Sequence, residues 1–487
     1  MKNKNKNIKE NFLFSSKFIF GILVVAVIVP LYFINSLNLL PSKYLMIVVI
    51  GLAVVLGIFA VLLFKTKGKV RGASKVVSLL VSLALLFTTR YVMQGGDLLS
   101  KLTGANKDTH VISMVVKADS PYEKFNDIKD LSFGANTTMD SEGITSAKEL
   151  IQEKKNATPT VVDYSSYGTL GTDLLEGKIE VILLSEAHRG LMNEFNPGFD
   201  EQTKVIDYVS YDEEVAIDKP EVNVLEDTFS VFITGIDTYG PVSTVSRSDV
   251  NMIMTVNPKT HQILLTSIPR DYHVKLGTKG AMDKLTHAGI YGVGESVKTL
   301  ENLFGINIDY YLKVNFTSVQ DIVNALGGVD VYSKYTFTSL HGNYNFTKGM
   351  NHINGSQALG FVRERYSLPG GDNDRVTNQQ ELIKGILNKA MSPAILTNYS
   401  SILKSVGNSM QMSIPQEDFT KLIRNQLDSN DSWEILQYQV YGTGASSGST
   451  YSMPGHNVYV MNPNKESVDK GSRLINVMES GKSITLD

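Results

Sequence analysis

Before residue 95 the chain carries three long apolar runs, at residues 18–34, 44–64 and 76–92, and they constrain it more than any other feature. Each is about as long as the roughly 17–25 residues a helix needs to cross the hydrocarbon core of a bilayer. A helix satisfies its backbone hydrogen bonds internally, which lipid requires. The first two runs hold no charge, and the third has Arg90 near its end, where a long side chain reaches the interface. Lys2, Lys4, Lys6, Lys9 and Lys17 precede the first run. Lys65, Lys67, Lys69, Arg71 and Lys75 lie between the second and third, against only Lys43 between the first and second. The positive-inside bias predicts a cytoplasmic N-terminus and second loop. An odd number of spans then places everything after about residue 95 outside the cell membrane, as a multi-pass anchor with a large outer portion. No small-residue cleavage site follows the first run, and two more runs come after it, which argues against a removed signal peptide. A group-transfer enzyme on that side has little ATP available and needs a substrate that carries its own activation.

A length of 487 residues predicts more than one domain, divided as 1–95 (tail and spans), 105–215 (a small outer domain) and 225–487 (a larger outer domain with a C-terminal extension). The formal net charge of −3 gives no basic footprint for nucleic acid. The absence of cysteine excludes disulfides, thiolate metal sites and cysteine nucleophiles.

In the first outer domain, residues 111–116 and 181–184 read as buried strands, 146–155 as a helix and 173–178 as the end of another, giving a small α/β or α+β fold. Residues 171–178 end in Gly-Lys, but the spacing is one residue too long for a phosphate loop, and Ile179 stands where Ser or Thr should hold the metal. A helix end capped by Gly177 is the better reading. Residues 211–227, rich in acidic side chains, read as a linker.

The second outer domain interleaves strand candidates (229–236, 252–256, 263–268, 329–332, 358–362) with helical patterns (295–304, 318–326), which predicts an α/β/α layered fold. In such folds active residues gather where strands end. Asp237 follows the first strand, Ser246-Arg-Ser-Asp249 precedes the second, and Arg270 follows the third. Arg363-Glu-Arg365 is expected to lie in a strand, with both arginines on one face and Glu364 on the other, and Asp372, Asp374, Arg375 and Gln379 come next. Carboxylates such as Asp237 and Asp249 are hard oxygen ligands suited to Mg²⁺ or Mn²⁺. Guanidinium forks match phosphate oxygens bidentately. The set favours a metal-bridged pyrophosphate over a zinc hydrolase, since phosphoryl transfer depends mostly on position and charge neutralisation. Taken singly, each of these residues reads equally well as a surface ion pair or helix cap. His287 lacks a Gly-x-Ser-x-Gly elbow and reads as a loop histidine packed beside the site rather than a hydrolase base. Tyr310, Tyr311 and Phe316 read as core before lipid contacts, residues 395–403 and 419–427 as amphipathic helices, and 442–449 as a flexible loop.

Residues 225–390 resemble the LytR–CpsA–Psr family of cell-wall enzymes. The resemblance rests on Phe232-Ile-Thr-Gly-Ile-Asp237, Ser246-Arg-Ser-Asp249, Ser267-Ile-Pro-Arg-Asp271, Lys284-Leu-Thr-His-Ala288, and Arg363-Glu-Arg365 through Gln380, with Gly327-Gly-Val-Asp330 and Asn354-Gly-Ser-Gln-Ala-Leu359 in support. The order of anchor, accessory segment and catalytic domain resembles the streptococcal capsule branch. The resemblance implies a phosphotransferase of a Gram-positive bacterium that moves a glycopolymer, capsular polysaccharide in that branch, from a polyprenyl-pyrophosphate carrier in the membrane lipid to peptidoglycan. It also implies a long hydrophobic pocket for the prenyl chain and capsule-assembly proteins as possible partners. Position by position, Asp237 and Asp249 would hold the metal, and Arg270, Arg363, Arg365, Arg375 and Gln379 would grip the pyrophosphate. Arg270, Arg365 and Asp372 would be catalytic, with Asp372 orienting Arg365 or taking the acceptor's proton. Many members have an arginine just before the paired glutamines, where this chain has Asn378, which puts one phosphate contact in doubt. Two alternatives use the same residues differently: a pyrophosphatase with water as nucleophile, and a membrane sensor or regulator of capsule production.

Overall fold

The computed structural model describes residues 12–215, 217, 221–236, 241–392, 402 and 410–486. They form two compact units.

The first unit holds α1 (Ser16–Leu37), α2 (Ser42–Lys65) and α3 (Gly68–Leu102). Ser15 caps α1 by accepting the Phe18 amide at 3.2 Å. All three helices are long and apolar enough to cross a membrane. Ile19, Leu23, Phe59 and Leu63 form their shared core. The helix Gln416–Ser429 belongs to this unit, packing Phe419 and Ile423 on Leu39 and Leu99. Arg424 donates to Asn38 Oδ1 at 2.6 Å beside a Lys43–Asp428 pair at 3.3 Å. The helix expected at 395–403 lies almost wholly outside the described residues.

The second unit begins with a five-stranded sheet ordered β3-β2-β4-β1-β5, from β1 (Lys107–Lys117), β2 (Ser132–Ala135), β3 (Thr160–Asp163), β4 (Val181–Ser185) and β5 (Thr203–Glu214). The expected linker therefore starts later than residue 211, because Tyr211 to Glu214 complete β5 against β1. Helices α4 (Phe125–Ile128), α5 (Ser141–Lys155), α6 (Tyr167–Leu175), α7 (Arg189–Phe195) and α8 (Phe199–Gln202) connect the strands. As the spacing required, residues 171–178 form a helix end: Gly177 sits at φ +76° and its amide bonds the Leu174 carbonyl.

The larger sheet is ordered β16-β11-β6-β7-β8-β17, from β6 (Phe229–Ile236), β7 (Val250–Asn257), β8 (Gln262–Ile268), β11 (Tyr310–Asn315), β16 (Met410–Met412) and β17 (Glu434–Gln439). Short strands β9 (His273–Lys275) and β10 (Met282–Lys284) lead into α9 (Leu285–Ala288) and α10 (Val293–Phe304). After α11 (Phe316–Ala325) come β12 (Val329–Ser333), β13 (Phe337–Thr338), β14 (Asn345–Phe346) and β15 (Gly349–Ile353), followed by α12 (Gly355–Arg363) and α13 (Asp372–Ala390). The pleat of β6 sends successive side chains to opposite sides. Phe232 packs with Val297, Leu300 and Phe304 of α10 and with Val468 and Ile475 of the C-terminal helix Lys465–Glu479. Ile233 instead lines an apolar cavity of about 140 Å³ with Val319 and Ile322 of α11, Val362 of α12 and Leu382, Ile383 and Ile386 of α13. Tyr310 and Tyr311 are buried, as a core reading of that strand requires.

Two expectations are corrected. Residues 358–362 form a helix, not a strand: Asn354 and Gln357 close a capping box at its start, and Ala358, Phe361 and Val362 are buried at helical spacing. The argument that Arg363 and Arg365 share a strand face therefore falls, since Arg363 ends α12 and Arg365 lies beyond its cap. Residues 442–449 are mostly strand rather than flexible loop, because β18 (Gly442–Ser447) pairs antiparallel with β19 (Val458–Pro463). Small residues without apolar alternation hid that strand.

Candidate functional site

Three chain segments bring the charges together. Asp249 enters at the start of β7, its amide bonded to the Gly235 carbonyl at 2.9 Å. Arg270 follows β8 through Pro269, and its carbonyl accepts the Thr286 amide at 2.8 Å. Asp372 and Arg375 occupy the first turn of α13. Arg270 Nη1 donates to Asp249 Oδ1 at 2.8 Å, and Arg375 Nη2 lies 2.8 Å from Asp372 Oδ1. Burial alone would raise the Asp249 carboxyl, but the Arg270, Arg247 and Arg375 charges outweigh it and hold it below the usual carboxylate range. Burial also lowers Arg375, and the neighbouring charges of Arg270 and Arg365 add to that against the pull of Asp372 and Asp249. Arg270, Arg247 and Arg375 thus stand among the carboxylates of Asp249, Asp271 and Asp372, with Asp271 Oδ2 3.8 Å from Arg270 Nε, in a partly buried place.

The donors of this cluster are incompletely used. Arg270 Nε, Arg375 Nε and Gln379 Nε2 are buried and find no hydrogen-bond partner among the described residues. Gln379 lies one helical turn after Arg375, on the same side of α13, and also lines the apolar cavity. A buried donor without an acceptor costs about 1–3 kcal/mol. Arg270 Nε faces Asp271 Oδ2 at 3.8 Å, and Asp372 Oδ1 is a buried acceptor of the same cluster that makes no hydrogen bond.

The remaining candidates are placed as follows. Arg365 is half-buried, with its guanidinium 4.4 Å from the centre of the Tyr366 ring and bonded to that hydroxyl. Between it and Arg363, Glu364 turns inward and accepts the amides of Leu340 (2.6 Å), Ser367 (2.9 Å) and Arg365 (3.0 Å), which fixes this corner. Asp372 pairs with Arg375; orienting Arg365 was one of the two roles the resemblance implied for it. Asn378 donates to the Phe361 carbonyl at 3.0 Å, so it ties α13 to α12. Asp237 lies outside the described residues. No group of three or more His, Cys, Asp or Glu side chains with metal-ligand spacing occurs among the described residues. Magnesium, however, commonly takes one or two carboxylates and completes its shell with substrate oxygens and water, so the donor set of Asp249 beside the guanidinium cluster would fit that chemistry.

Sequence reasoning missed the share taken by the helices around the five-stranded sheet. Glu194 of α7 accepts from Arg247 Nη1 at 2.6 Å and Lys284 Nζ at 3.3 Å, and lies 3.9 Å from His287 Nε2. Burial would raise its carboxyl, but His287, Lys284 and Arg247 pull it down to about 2. Gly190, one turn earlier, lacks the Cβ that would sit 2.1 Å from Arg247 Nε, so the guanidinium can lie against the helix. His287, fully buried in α9, pairs through Nδ1 with Asp283 at 2.7 Å, and Ser452 donates to the other Asp283 oxygen at 2.5 Å. The serine thus contacts the carboxylate and not the imidazole, which is not the arrangement of a nucleophilic triad. Asp108 of β1 fastens the two sheets together, accepting Lys313 Nζ at 3.0 Å and the Val293 amide at 2.8 Å. No local pattern around Glu194 signals this role, because its partners lie far along the chain.

The chain thus carries an α/β domain in which a carboxylate–guanidinium cluster adjoins, through Gln379, an apolar cavity. The chain belongs to the LytR–CpsA–Psr family, whose sequence model matches residues 199–470. A second model, that of a DNA polymerase processivity factor, matches residues 68–184, a stretch that joins α3 to part of the smaller sheet and corresponds to no complete unit. The polyisoprenyl-teichoic acid–peptidoglycan teichoic acid transferase TagU of Bacillus subtilis is 34% identical over 241 residues, covering 49% of this chain and 75% of that protein. The TagU of Enterococcus faecalis is 36% identical over 231 residues, covering 46% and 74%. Among solved structures, B. subtilis TagV is 25% identical with a TM-score of 0.45, covering 52% of this chain and 98% of that one.

Proposed function

We propose that this chain is a membrane-anchored phosphotransferase that moves a glycopolymer from a polyprenyl-pyrophosphate carrier to peptidoglycan. The observation that carries this reading is the set of buried donors without a hydrogen bond, Arg270 Nε, Arg375 Nε and Gln379 Nε2, of which Gln379 also lines the apolar cavity. A molecule with a prenyl chain and a pyrophosphate head satisfies both halves at once. The names of the TagU relatives point the same way. The apolar helices and the distribution of lysines support an anchor with the catalytic domain outside. The order of anchor, accessory sheet and catalytic domain supports capsular polysaccharide as the polymer, with capsule-assembly proteins as neighbours.

In this mechanism the α/β/α layering holds the prenyl chain between the larger sheet and α11 to α13. Arg270, Arg375 and Gln379 hold the pyrophosphate, with Arg363 and Arg365 at the corner of the cleft. Asp372 orients Arg375, and Asp249 orients Arg270. Asp249 with Asp237 would hold Mg²⁺ or Mn²⁺, which supplies further neutralisation of phosphate charge. The acceptor hydroxyl oxygen forms the new bond to the phosphorus bearing the polymer, and its proton passes to the leaving phosphate. The bond from that phosphorus to the bridging oxygen breaks, and the carrier leaves as polyprenyl monophosphate. The guanidiniums stabilise charge that develops on the phosphoryl oxygens.

The test is product analysis with the full chain in detergent, a lipid-pyrophosphate-linked polymer, and solubilised wall strands present or absent. Transfer predicts polymer bound to wall strands, abolished by excess chelator. Free polymer phosphate in equal yield with and without strands would establish a pyrophosphatase instead, and full activity in chelator would remove the metal.

A further inference from the structure

Between α7 and the β18–β19 hairpin lies an open groove of about 510 Å³, lined among others by Thr172, Phe195, Lys284, His456, Asn457 and Tyr459. Its aromatic wall is ordered. Phe195 meets the His456 ring edge-on at a centroid distance of 4.4 Å. Tyr459, 53% exposed, lies over Gly444 of the facing strand, where a Cβ would come within 3.1 Å of the ring. At the inner end, Lys284 sits between Glu194 (3.3 Å) and Asp271 (3.8 Å), so its charge is matched.

The groove runs toward the cleft. Two residues after Tyr459, the Met461 amide donates to the Asp271 carbonyl at 2.7 Å, which docks β19 beside Arg270. The Tyr459 hydroxyl is raised in pKa first by burial and then by the charges of Asp271 and Asp372. A matched ion pair, a side-chain amide, a threonine and aromatic faces suit a ligand that is neutral, rich in hydroxyls and apolar on its ring faces. Phosphate is poorly suited, because the cation here is already neutralised. A pyranose has this chemistry: its C–H face lies on an aromatic ring while its hydroxyl rim meets polar groups.

We propose that this groove is a sugar-binding subsite, built jointly by the accessory sheet's α7 and the C-terminal hairpin, that guides a glycan chain to the pyrophosphate cleft. The proposal rests on the phosphotransfer reading for its purpose but not for its chemistry. Two sources present such sugars, the wall strand and the polymer being transferred.

The test is a binding titration on the full chain in detergent by saturation-transfer NMR. One arm uses muramidase-released peptidoglycan strands, and the other uses carrier-free polysaccharide released from the same cells. The parent should bind in at least one arm. Tyr459→Ala and Phe195→Leu should weaken that binding by about tenfold, the scale of one lost aromatic contact, while Tyr459→Phe should keep most of it. The arm that responds identifies the source. Tyr459 is exposed, so its Ala variant should fold even if the Phe195 variant does not. No binding by the parent in either arm, or binding unchanged in Tyr459→Ala, would overturn the proposal. Donor cleavage by the parent is followed in parallel: sugar binding without cleavage supports the groove and sinks the phosphotransfer reading, and cleavage without sugar binding does the reverse.

Discussion

Replacing Arg270 with lysine separates charge from geometry in the cleft. Arg270 spends Nη1 on Asp249 at 2.8 Å and presents a buried Nε that makes no hydrogen bond among the described residues, with Asp271 Oδ2 3.8 Å away. Lysine keeps the positive charge and can keep one contact with Asp249, but it cannot also aim a second fixed donor into the cleft. The loss on the enzyme side is therefore about one charge-assisted hydrogen bond to phosphate, roughly 1.5–3 kcal/mol. At about 1.4 kcal/mol per decade, that is on the order of a tenfold to hundredfold fall in polymer release. Net charge is unchanged, so long-range attraction of the anionic lipid should persist, and the defect should appear at the bound stage. The assay is release of polymer from a lipid-pyrophosphate donor by the full chain, with donor binding and thermal melting followed together. Arg365→Lys makes a companion, since that side chain stacks on Tyr366 and lysine cannot reproduce a planar stack. If both variants fold and match the parent within twofold in rate and affinity, the arginines are ordinary ion-pair partners and the cleft is misplaced.

Glu194→Gln should lower the melting temperature, reflecting a loss of about 1–2 kcal/mol once solvent screening is allowed for, because Arg247, Lys284 and His287 then face one another without their shared carboxylate. The parent's pH profile follows from the same groups. The lowered Glu194 carboxyl contributes stability above about pH 4.5 and loses it as pH falls toward about 2. His287 is raised above its ordinary value of 6.5, Asp283 and Glu194 outweighing burial, so its contribution is full below that pH and fades as pH rises through the higher folded value. Melting curves of Glu194→Gln whose acid-side loss is no smaller than the parent's would refute the assignment. For orientation, protease added to wall-stripped cells should cut beyond residue 95 and spare the Lys65–Lys75 region; protection of the large C-terminal portion would reverse the topology.

Much of the larger sheet was legible in sequence because its strands are short apolar runs bounded by turn residues. The expected 229–236 strand coincides with β6, and 263–268 falls within β8. The 358–362 stretch misled because a five-residue apolar run has the same look at either periodicity. What decided it was a cap: Asn354 and Gln357, three residues apart, satisfy the first amides of α12. Residues 442–447 failed in the opposite way, for a strand of Gly, Ala, Ser and Thr has almost no pattern to read, and only β19 holds it straight.

The site divides along the same line. Sequence by itself determined which groups were available: three apolar spans, arginines and carboxylates at strand and helix ends, and no cysteine. These follow from local chemistry, since a span needs its length and a phosphate needs its guanidiniums. Tertiary structure decided which of them meet. It paired Arg375, not Arg365, with Asp372, and turned Asn378 into a tie between two helices. It also brought Glu194 to Arg247 across 53 residues of chain and to Lys284 across 90. Such contacts carry no local signal because ion pairs form wherever packing leaves two charges within reach, and packing is a property of the whole fold.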